Sequence, residues 1–159
     1  MFVQDFVEIE APFESVARLM TGIEPELRIW AETAIRRGEE LAVGPSGAWT
    51  AMPVELYVGE PMHGTESLVI PIEWEAKSAA ALFPKMTAEL ALHPVGETVT
   101  HAQFRGRYEP PMRVAGRVLD AAGLHRLAET TVRNLMVRFK RAVDLELDAQ
   151  QMFNPESTP

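Results

Sequence analysis

The sequence of 159 residues contains no cysteine, and this absence removes several kinds of chemistry at once. Disulfide bonds, zinc sites built on thiolates and thiol-based catalysis are all excluded, because each of them needs a cysteine sulfur. Long apolar runs are lacking as well. Leu68–Ile72 is among the longest, whereas a membrane-spanning helix needs about 20 predominantly apolar residues. We therefore expect no integral association with a membrane.

Positive charge is also scarce. The chain has 15 Lys and Arg residues against 23 Asp and Glu residues, which gives a formal net charge of −8. Proteins that bind nucleic acid or an anionic membrane surface usually carry the opposite balance, because basic side chains neutralise the phosphates. The first residues show no basic segment followed by an apolar stretch, so no signal peptide is predicted. We expect a cytoplasmic protein without a nucleic-acid partner.

The usual catalytic motifs are missing too. No Ser-His-Asp set, phosphate-binding loop or paired-carboxylate signature is present, and the four histidines lack the spacing of metal ligands. The sequence therefore predicts no catalytic residue, no metal site and no cofactor.

The hydrophobic pattern predicts the order of the elements. A strand over 3–9 alternates apolar and polar residues, and Pro12 then opens a helix over 13–20. A second short helix is predicted from Pro25 to Gly38, where glycine ends it. Strands separated by turn residues follow, at 40–43, 48–52, 54–59, 67–76, 85–93 and 101–108.

The last two of these strands predict their own register. Pairing Leu90 with Phe104 around a loop at 94–97 also sets Glu89 against Arg105 and His93 against His101. Every apolar residue then lies on one face of the hairpin and the charged pair on the other, as an antiparallel register requires.

Residues 113–147 carry a single long amphipathic helix pattern. At about 100° per residue, ten residues fall on one stripe: Val114, Val118, Ala121, His125, Ala128, Val132, Leu135, Met136, Phe139 and Val143. Interiors pack densely, so the small residues Ala121 and Ala128 either admit another element closely or leave a hollow with His125 at its wall. His125 is then a ligand-binding or acid–base group, or, as we favour, a histidine satisfied by a carbonyl or Glu129.

This order of elements predicts an α+β fold. A curved antiparallel sheet is expected to wrap around the long C-terminal helix, because the sheet's apolar face needs a cover and no other helix is long enough. Residues 1–147 are interpreted as one domain. The polar segment 148–159, with two prolines, is interpreted as a flexible tail.

The segment Val7–Val16, in which a strand runs into an Ala-Pro-x-x-x-Val helix start, resembles the START-like (SRPBCC) superfamily of helix-grip proteins. Pro110–Pro111 before the long helix strengthens the resemblance, which covers residues 1–147 and is greatest to bacterial single-domain members. The resemblance implies a cavity between the sheet and the C-terminal helix, used by different members for sterols, lipids, polyketides or plant hormones. Fold-level analogy does not by itself assign an activity.

The candidate ligand-binding residues combine large apolar bodies with few polar groups. Trp74, Phe104 and Tyr108 share the inward side of the sheet, and the resemblance implies a gate role for Trp30 at the cavity mouth. The full set is Trp30, Trp74, Phe104, Tyr108, Ala121, His125 and Ala128. Ordinary core packing is the competing interpretation, and we favour it for Phe104.

Three functions follow from this set. The leading hypothesis is binding or transport of an apolar or amphipathic small molecule of lipid, polyketide or aromatic type. The second is a cyclase/aromatase- or hydratase-like enzyme in which His125 and Tyr108 transfer protons. The third is an interaction protein with a filled core. A small hydrophobic ligand is the expected partner, and a homodimer stays open.

Overall fold

The computed structural model describes residues 1–21, 54–76, 85–109 and 121–153. Within these ranges the elements follow in the order β1 (Phe2–Ile9), α1 (Phe13–Thr21), β2 (Val54–Val58), β3 (Met62–His63), β4 (Leu68–Ala76), β5 (Lys85–Val95), β6 (Val99–Glu109) and α2 (Ala121–Phe153). The predicted helix at 25–38, the predicted strands at 40–43 and 48–52, and the predicted start of the last helix before residue 121 lie outside the described residues.

The described strands form one curved antiparallel sheet. Its order is β1-β6-β5-β4-β2, and β3 also pairs with β4. The short strand β3 was not predicted, because two residues carry no readable alternation. All neighbours in the sheet are antiparallel, as expected for strands joined mostly by short connections.

The predicted register of the β5–β6 hairpin is confirmed. Leu90 pairs with Phe104, Glu89 with Arg105 and His93 with His101. The predicted loop at 94–97 was too early, because the strands run on to a Val95–Val99 pair and the turn follows at Gly96, whose φ is +67°. Proline is tolerated inside β5 at position 94 because the partner strand β4 begins opposite Leu92, leaving that edge of β5 free.

The turn between β1 and α1 is fixed by a buried hydroxyl group. Pro12 accepts hydrogen bonds from the amides of Ser15 and Val16 and so begins α1. Thr100, fully buried at the start of β6, donates from Oγ1 to the carbonyl oxygen of Ala11 over 2.8 Å. This bond ties the turn to the sheet, because an unpaired carbonyl at a buried position would be costly.

Helix α2 and the inner face of the sheet share one core. Five of the ten residues of the predicted stripe are buried on the helix, namely Val132, Leu135, Met136, Phe139 and Val143, and so is Leu147, which the prediction did not include. They cluster with inward residues of the sheet such as Ile70, Ile72, Leu90 and Leu92. The α+β fold predicted from the sequence is therefore confirmed. None of the described helices is both long and apolar enough to cross a membrane.

An acidic residue on the inward side of β1 faces a basic residue of α2. Asp5 shares that side with Val3 and Val7, and its Oδ2 lies 3.9 Å from Nε of Arg133 on the helix. Its Oδ1 accepts the Phe6 amide over 2.9 Å. An inward charge on an edge strand discourages a further strand from pairing there, and α2 packs beside this strand.

The end of α2 differs from the sequence interpretation. The helix pattern was ended at residue 147, but α2 continues through Phe153. Residues 148–153 contain Ala, two Gln and Met but no proline, and a helix that is already formed extends through such residues at little cost. The start of the predicted flexible tail is therefore wrong by six residues, and 154–159 lie outside the described part of the chain.

Candidate functional site

The candidate site lies where one row of inward side chains crosses the sheet. Trp74 on β4 is paired with Met86 on β5, and Met86 is paired with Tyr108 on β6. Because side chains alternate between the faces of a strand, paired residues across a sheet share a face. The row therefore presents an indole, a thioether and a phenol side by side toward the core.

The next inward row is built from smaller residues. It contains Ile72, Ala88 and Gly106. The missing side chain at Gly106 is not empty space, because a Cβ atom there would lie 2.7 Å from Sδ of Met86 and 2.9 Å from Cε1 of Phe104. These two side chains lean over the glycine and close the floor of the site.

Phe104 also stacks on Trp74. Their ring centroids are 5.8 Å apart with an interplanar angle of 29°, an arrangement within the range of favourable aromatic pairs. Phe104 is fully buried, whereas Trp74 is only partly buried and packs against the edge of the core. One ring of the pair therefore belongs to the core, and the other is partly open.

Tyr108 stands at the polar end of the row. Its backbone amide donates to the carbonyl oxygen of Met1 over 2.9 Å, and the amino group of Met1 donates to the carbonyl oxygen of Tyr108 over 2.8 Å. Its hydroxyl group lies 3.0 Å from Sδ of Met1 and 3.3 Å from Nδ1 of His125. The Tyr108 and His125 rings are nearly parallel, at 23°, with centroids 6.4 Å apart.

His125 links this buried hydroxyl group to the surface. Its Nε2 lies 3.3 Å from Oε1 of Glu129, one helical turn further along α2. The exposed fractions of the two side chains are 40% and 54%. A chain of polar groups therefore runs from the buried Tyr108 through a half-exposed imidazole to an exposed carboxylate.

The surroundings of Tyr108 favour the protonated form of its phenol. Burial raises the pKa of Tyr108 above its ordinary value of 10.0, and the negative charge of Glu129 raises it further. The hydroxyl group is protonated at neutral pH, as in any tyrosine, and can donate a hydrogen bond. Tyr108 can donate to Nδ1 of His125, and Nε2–H of His125 can in turn donate to the Glu129 carboxylate.

The remaining predicted site residues are distributed as follows. Ala128 is half-buried on α2 and packs against the core, one turn from His125. Ala121 is the first residue of α2, and Trp30 lies outside the described residues. The structure therefore brings together Tyr108 with His125 and Trp74 with Phe104, the two pairs on which the site depends.

The outer face of the sheet carries the charges that the sequence assigned to solvent. Glu73 pairs with Lys85 at 3.6 Å and Glu89 with Arg105 at 3.7 Å, all about half-exposed. Such pairs contribute little to stability. His93 and His101 face each other there, with His101 stacked on Phe6. No group of three metal-ligating side chains occurs among the residues described.

Sequence reasoning did not include Met86, Gly106 or Glu129 in the site. Met86 and Gly106 lie on the same inward parity as Trp74 and Tyr108, so the register held a signal for them. The sequence suggested Glu129 only as a hydrogen-bond partner of His125, and the distance between the two side chains in the structure agrees with that role. Glu129 also raises the pKa of Tyr108, but this effect depends on a contact between β6 and α2 that the spacing of residues in the sequence does not reveal.

Comparisons with known proteins describe the fold and no more. No family model matches the sequence, and no curated protein matches it. Among solved structures, a conserved protein from Geobacillus kaustophilus is 11% identical, with a TM-score of 0.51 over 93% of this chain and 95% of that one.

Two enzymes have a similar structure. The Zhui aromatase/cyclase from Streptomyces sp. R1128 is 14% identical, with a TM-score of 0.51 over 99% of both chains. Norcoclaurine synthase from Thalictrum flavum, in complex with dopamine and hydroxybenzaldehyde, is 8% identical, with a TM-score of 0.51 over 100% of this chain and 89% of that one. The chain therefore has the helix-grip fold predicted from its sequence.

Proposed function

We propose that the protein binds or transports a small apolar or amphipathic molecule, of lipid, polyketide or aromatic type, between the inner face of its sheet and α2. The observation that carries this proposal is the position of the buried Tyr108 hydroxyl group. It sits at the end of an apolar aromatic row and is directed toward His125 on the facing helix. Small-molecule sites combine an apolar lining with a few polar groups of this kind.

The apolar part of the ligand would contact the aromatic end of the row. Trp74 is only partly buried although it stacks on Phe104, so one face of the pair is available to a further flat or aliphatic group. We assign Ala128 and Ala121 to the facing wall, since their small side chains leave room where a larger residue would fill the space. Trp30 is proposed as a gate residue.

The polar part of the ligand would compete for the Tyr108–His125 hydrogen bond. That contact is long, at 3.3 Å, and the second partner of the phenol is a thioether, which is a weak acceptor. A carbonyl or hydroxyl group of a ligand is a better acceptor for Tyr108. We therefore expect a ligand with an oxygen at one end of an apolar body.

A second function is favoured by the same chain of polar groups. Tyr108, His125 and Glu129 together form a path along which a proton can pass from a buried site to solvent, which general acid–base catalysis uses. Enzymes with this fold include the aromatase/cyclase and norcoclaurine synthase described above, the latter bound to two small aromatic molecules. Sequence identities of 14% and 8% are too low to assign either enzyme's activity to this chain.

Native mass spectrometry of the purified protein tests the binding proposal. We expect an additional mass that is lost on denaturation, and identification of the released compound would give the ligand class. The Tyr108→Phe variant should carry less of it, because the donor is removed while the ring remains. An unliganded protein that also takes up no added fatty acid, polyketone or aromatic ketone would favour the third hypothesis, a filled core.

A turnover assay distinguishes the enzyme hypothesis from the carrier hypothesis. If the polar chain is catalytic, a His125→Gln variant should bind a poly-β-ketone as the parent does but fail to cyclise it. If the protein is a carrier, neither variant nor parent changes the compound. A cytoplasmic location and the absence of a nucleic-acid partner are further parts of this proposal.

A further inference from the structure

The outer face of α2, opposite the core, carries exposed apolar side chains. Val137, Leu145 and Met152 expose 58%, 62% and 75% of their surfaces. At about 100° per residue they lie within an arc of about 80°, diametrically opposite the buried residues of the same helix. Single exposed apolar residues are ordinary, but three that share one helix face offer a row of apolar contacts to a partner.

Two unpaired charges lie on the same stripe. Arg141 and Asp148 are both exposed, and neither has an ion-pair partner among the described residues. The nearest acidic residue to Arg141 on the helix is Asp144, which already pairs with Lys140 at 3.1 Å. The outer stripe, defined as Val137, Arg141, Leu145, Asp148 and Met152, therefore holds one free cation and one free anion within the described structure.

The spacing of the outer stripe is symmetric about its centre. Val137 and Met152 are equidistant from the peptide bond between Asp144 and Leu145, and so are Arg141 and Asp148. A two-fold axis that runs beside the helix at the level of that peptide bond, perpendicular to the helix, places each residue of a pair opposite the other member of the pair in a second copy. In a pair of antiparallel helices related by this axis, Arg141 faces Asp148 of the second copy twice.

We propose that the outer stripe of α2 is the interface of a homodimer, in which two copies of this chain pair their C-terminal helices antiparallel about this axis. Val137 packs against Met152 of the second copy, Leu145 lies beside its own symmetry mate, and the two Arg141–Asp148 pairs flank it. A parallel pairing is disfavoured, because it places Arg141 beside Arg141 and Asp148 beside Asp148.

The size of the interface sets the kind of dimer. The outer stripe spans about 22 Å between Val137 and Met152 at 1.5 Å per residue. A contact confined to one helix face is smaller than the interfaces of obligate dimers. The dimer is therefore reversible and depends on concentration. It involves none of the proposed ligand-contacting residues, so the dimer and the ligand site succeed or fail separately.

Sedimentation equilibrium over a wide concentration range tests the interface. The parent protein should approach twice the mass of one chain as its concentration rises. Leu145→Glu, which sets two carboxylates beside the axis, should stay monomeric. Met62→Glu is the matched control, because it removes a side chain of similar exposure, 56%, on β3 and adds the same charge. This control should dimerise like the parent.

Charge exchange and cross-linking test the orientation. Arg141→Glu alone should weaken the dimer, and Arg141→Glu combined with Asp148→Arg should restore it. Because the chain has no cysteine, single cysteines are unambiguous probes. Leu145→Cys should form a disulfide dimer, whereas Val137→Cys should not, since its two copies lie about 22 Å apart and a disulfide needs Cα atoms within about 7 Å.

Mixing Val137→Cys with Met152→Cys should again yield a cross-linked dimer. The proposal is overturned if the parent remains monomeric at the highest concentration, or if Leu145→Glu and Met62→Glu behave alike. Cross-linking of Val137→Cys with itself, without any cross-link to Met152→Cys, would show a parallel pair and would equally overturn it.

Discussion

The hydroxyl group of Tyr108 on β6 lies 3.3 Å from Nδ1 of His125 on α2, so the sheet and the C-terminal helix make a polar contact at one end of a largely apolar core. On the helix side the contact continues to Glu129. On the sheet side it continues into the row of Met86 and Trp74. The contact between Tyr108 and His125 therefore gives the site a polar end beside its apolar row.

The titration of Tyr108 should report its environment directly. Tyr57 is the second of only two tyrosines and is exposed, so Tyr57→Phe leaves Tyr108 as the single phenol. Its absorbance change should occur above pH 10, because burial and Glu129 raise its pKa. Glu129→Gln should move the change to lower pH. A midpoint near the ordinary value, unaffected by Glu129, would show that the phenol is solvated.

The same pKa predicts how stability depends on pH. Because the folded pKa lies above the unfolded value of 10.0, the unfolded chain releases the proton of Tyr108 first as the pH rises. The stabilising contribution of Tyr108 is thus complete below pH 10 and is lost above it. Urea denaturation of the Tyr108→Phe variant should therefore show a weaker decline in stability above this pH than the parent shows.

Gly106 should not tolerate a methyl group. The added Cβ of Gly106→Ala would contact Met86 and Phe104 at less than 3.0 Å, and overpacking of this kind costs about 1 to 3 kcal/mol. Met86→Ala should relieve part of it. In a double-mutant cycle by urea denaturation, the combined loss should be smaller than the sum of the single losses. Simple additivity would show that Met86 does not cover the glycine.

Leu90→Ala should lower the free energy of unfolding by about 2 to 5 kcal/mol, through lost transfer energy and the cavity left behind. Leu90 is buried in the centre of the sheet, opposite Phe104 and Ile70. The control is Val95→Ala at the exposed end of the same strand, which should change stability little. Both variants are measured by thermal and urea denaturation. If Leu90→Ala lowered stability no more than Val95→Ala, the assignment of Leu90 to the inner face would be contradicted.

The sequence was most informative where one periodicity continued over many residues. The β5–β6 register followed from hydrophobic alternation and the Glu89–Arg105 pair, and the apolar stripe of α2 followed from a period maintained from Val132 to Val143. Boundaries were less predictable. The end of α2 was placed too early, because polar residues without a period still extend a helix that is already formed.

The candidate site was predictable only in part. Strand parity placed Trp74, Phe104 and Tyr108 on one face, but the contact between Tyr108 and His125 depends on how α2 lies across the sheet, which local pattern does not encode. The roles of Met86 and Gly106 were not predicted, although strand parity places both residues on the same face. Their importance comes from the side chains of Met86 and Phe104 folding over Gly106, a matter of rotamers rather than spacing.

Uptake of a fluorescent apolar probe by the parent and by Ala128→Leu tests the central claim most directly. The parent should bind the probe, and Ala128→Leu should remain folded but lose binding, because leucine fills the space beside His125. Ala149→Leu, the same change about 30 Å further along α2, should bind like the parent. A parent that binds no probe, together with an Ala128→Leu variant destabilised by about 1 to 3 kcal/mol, would show a filled core and contradict the ligand site.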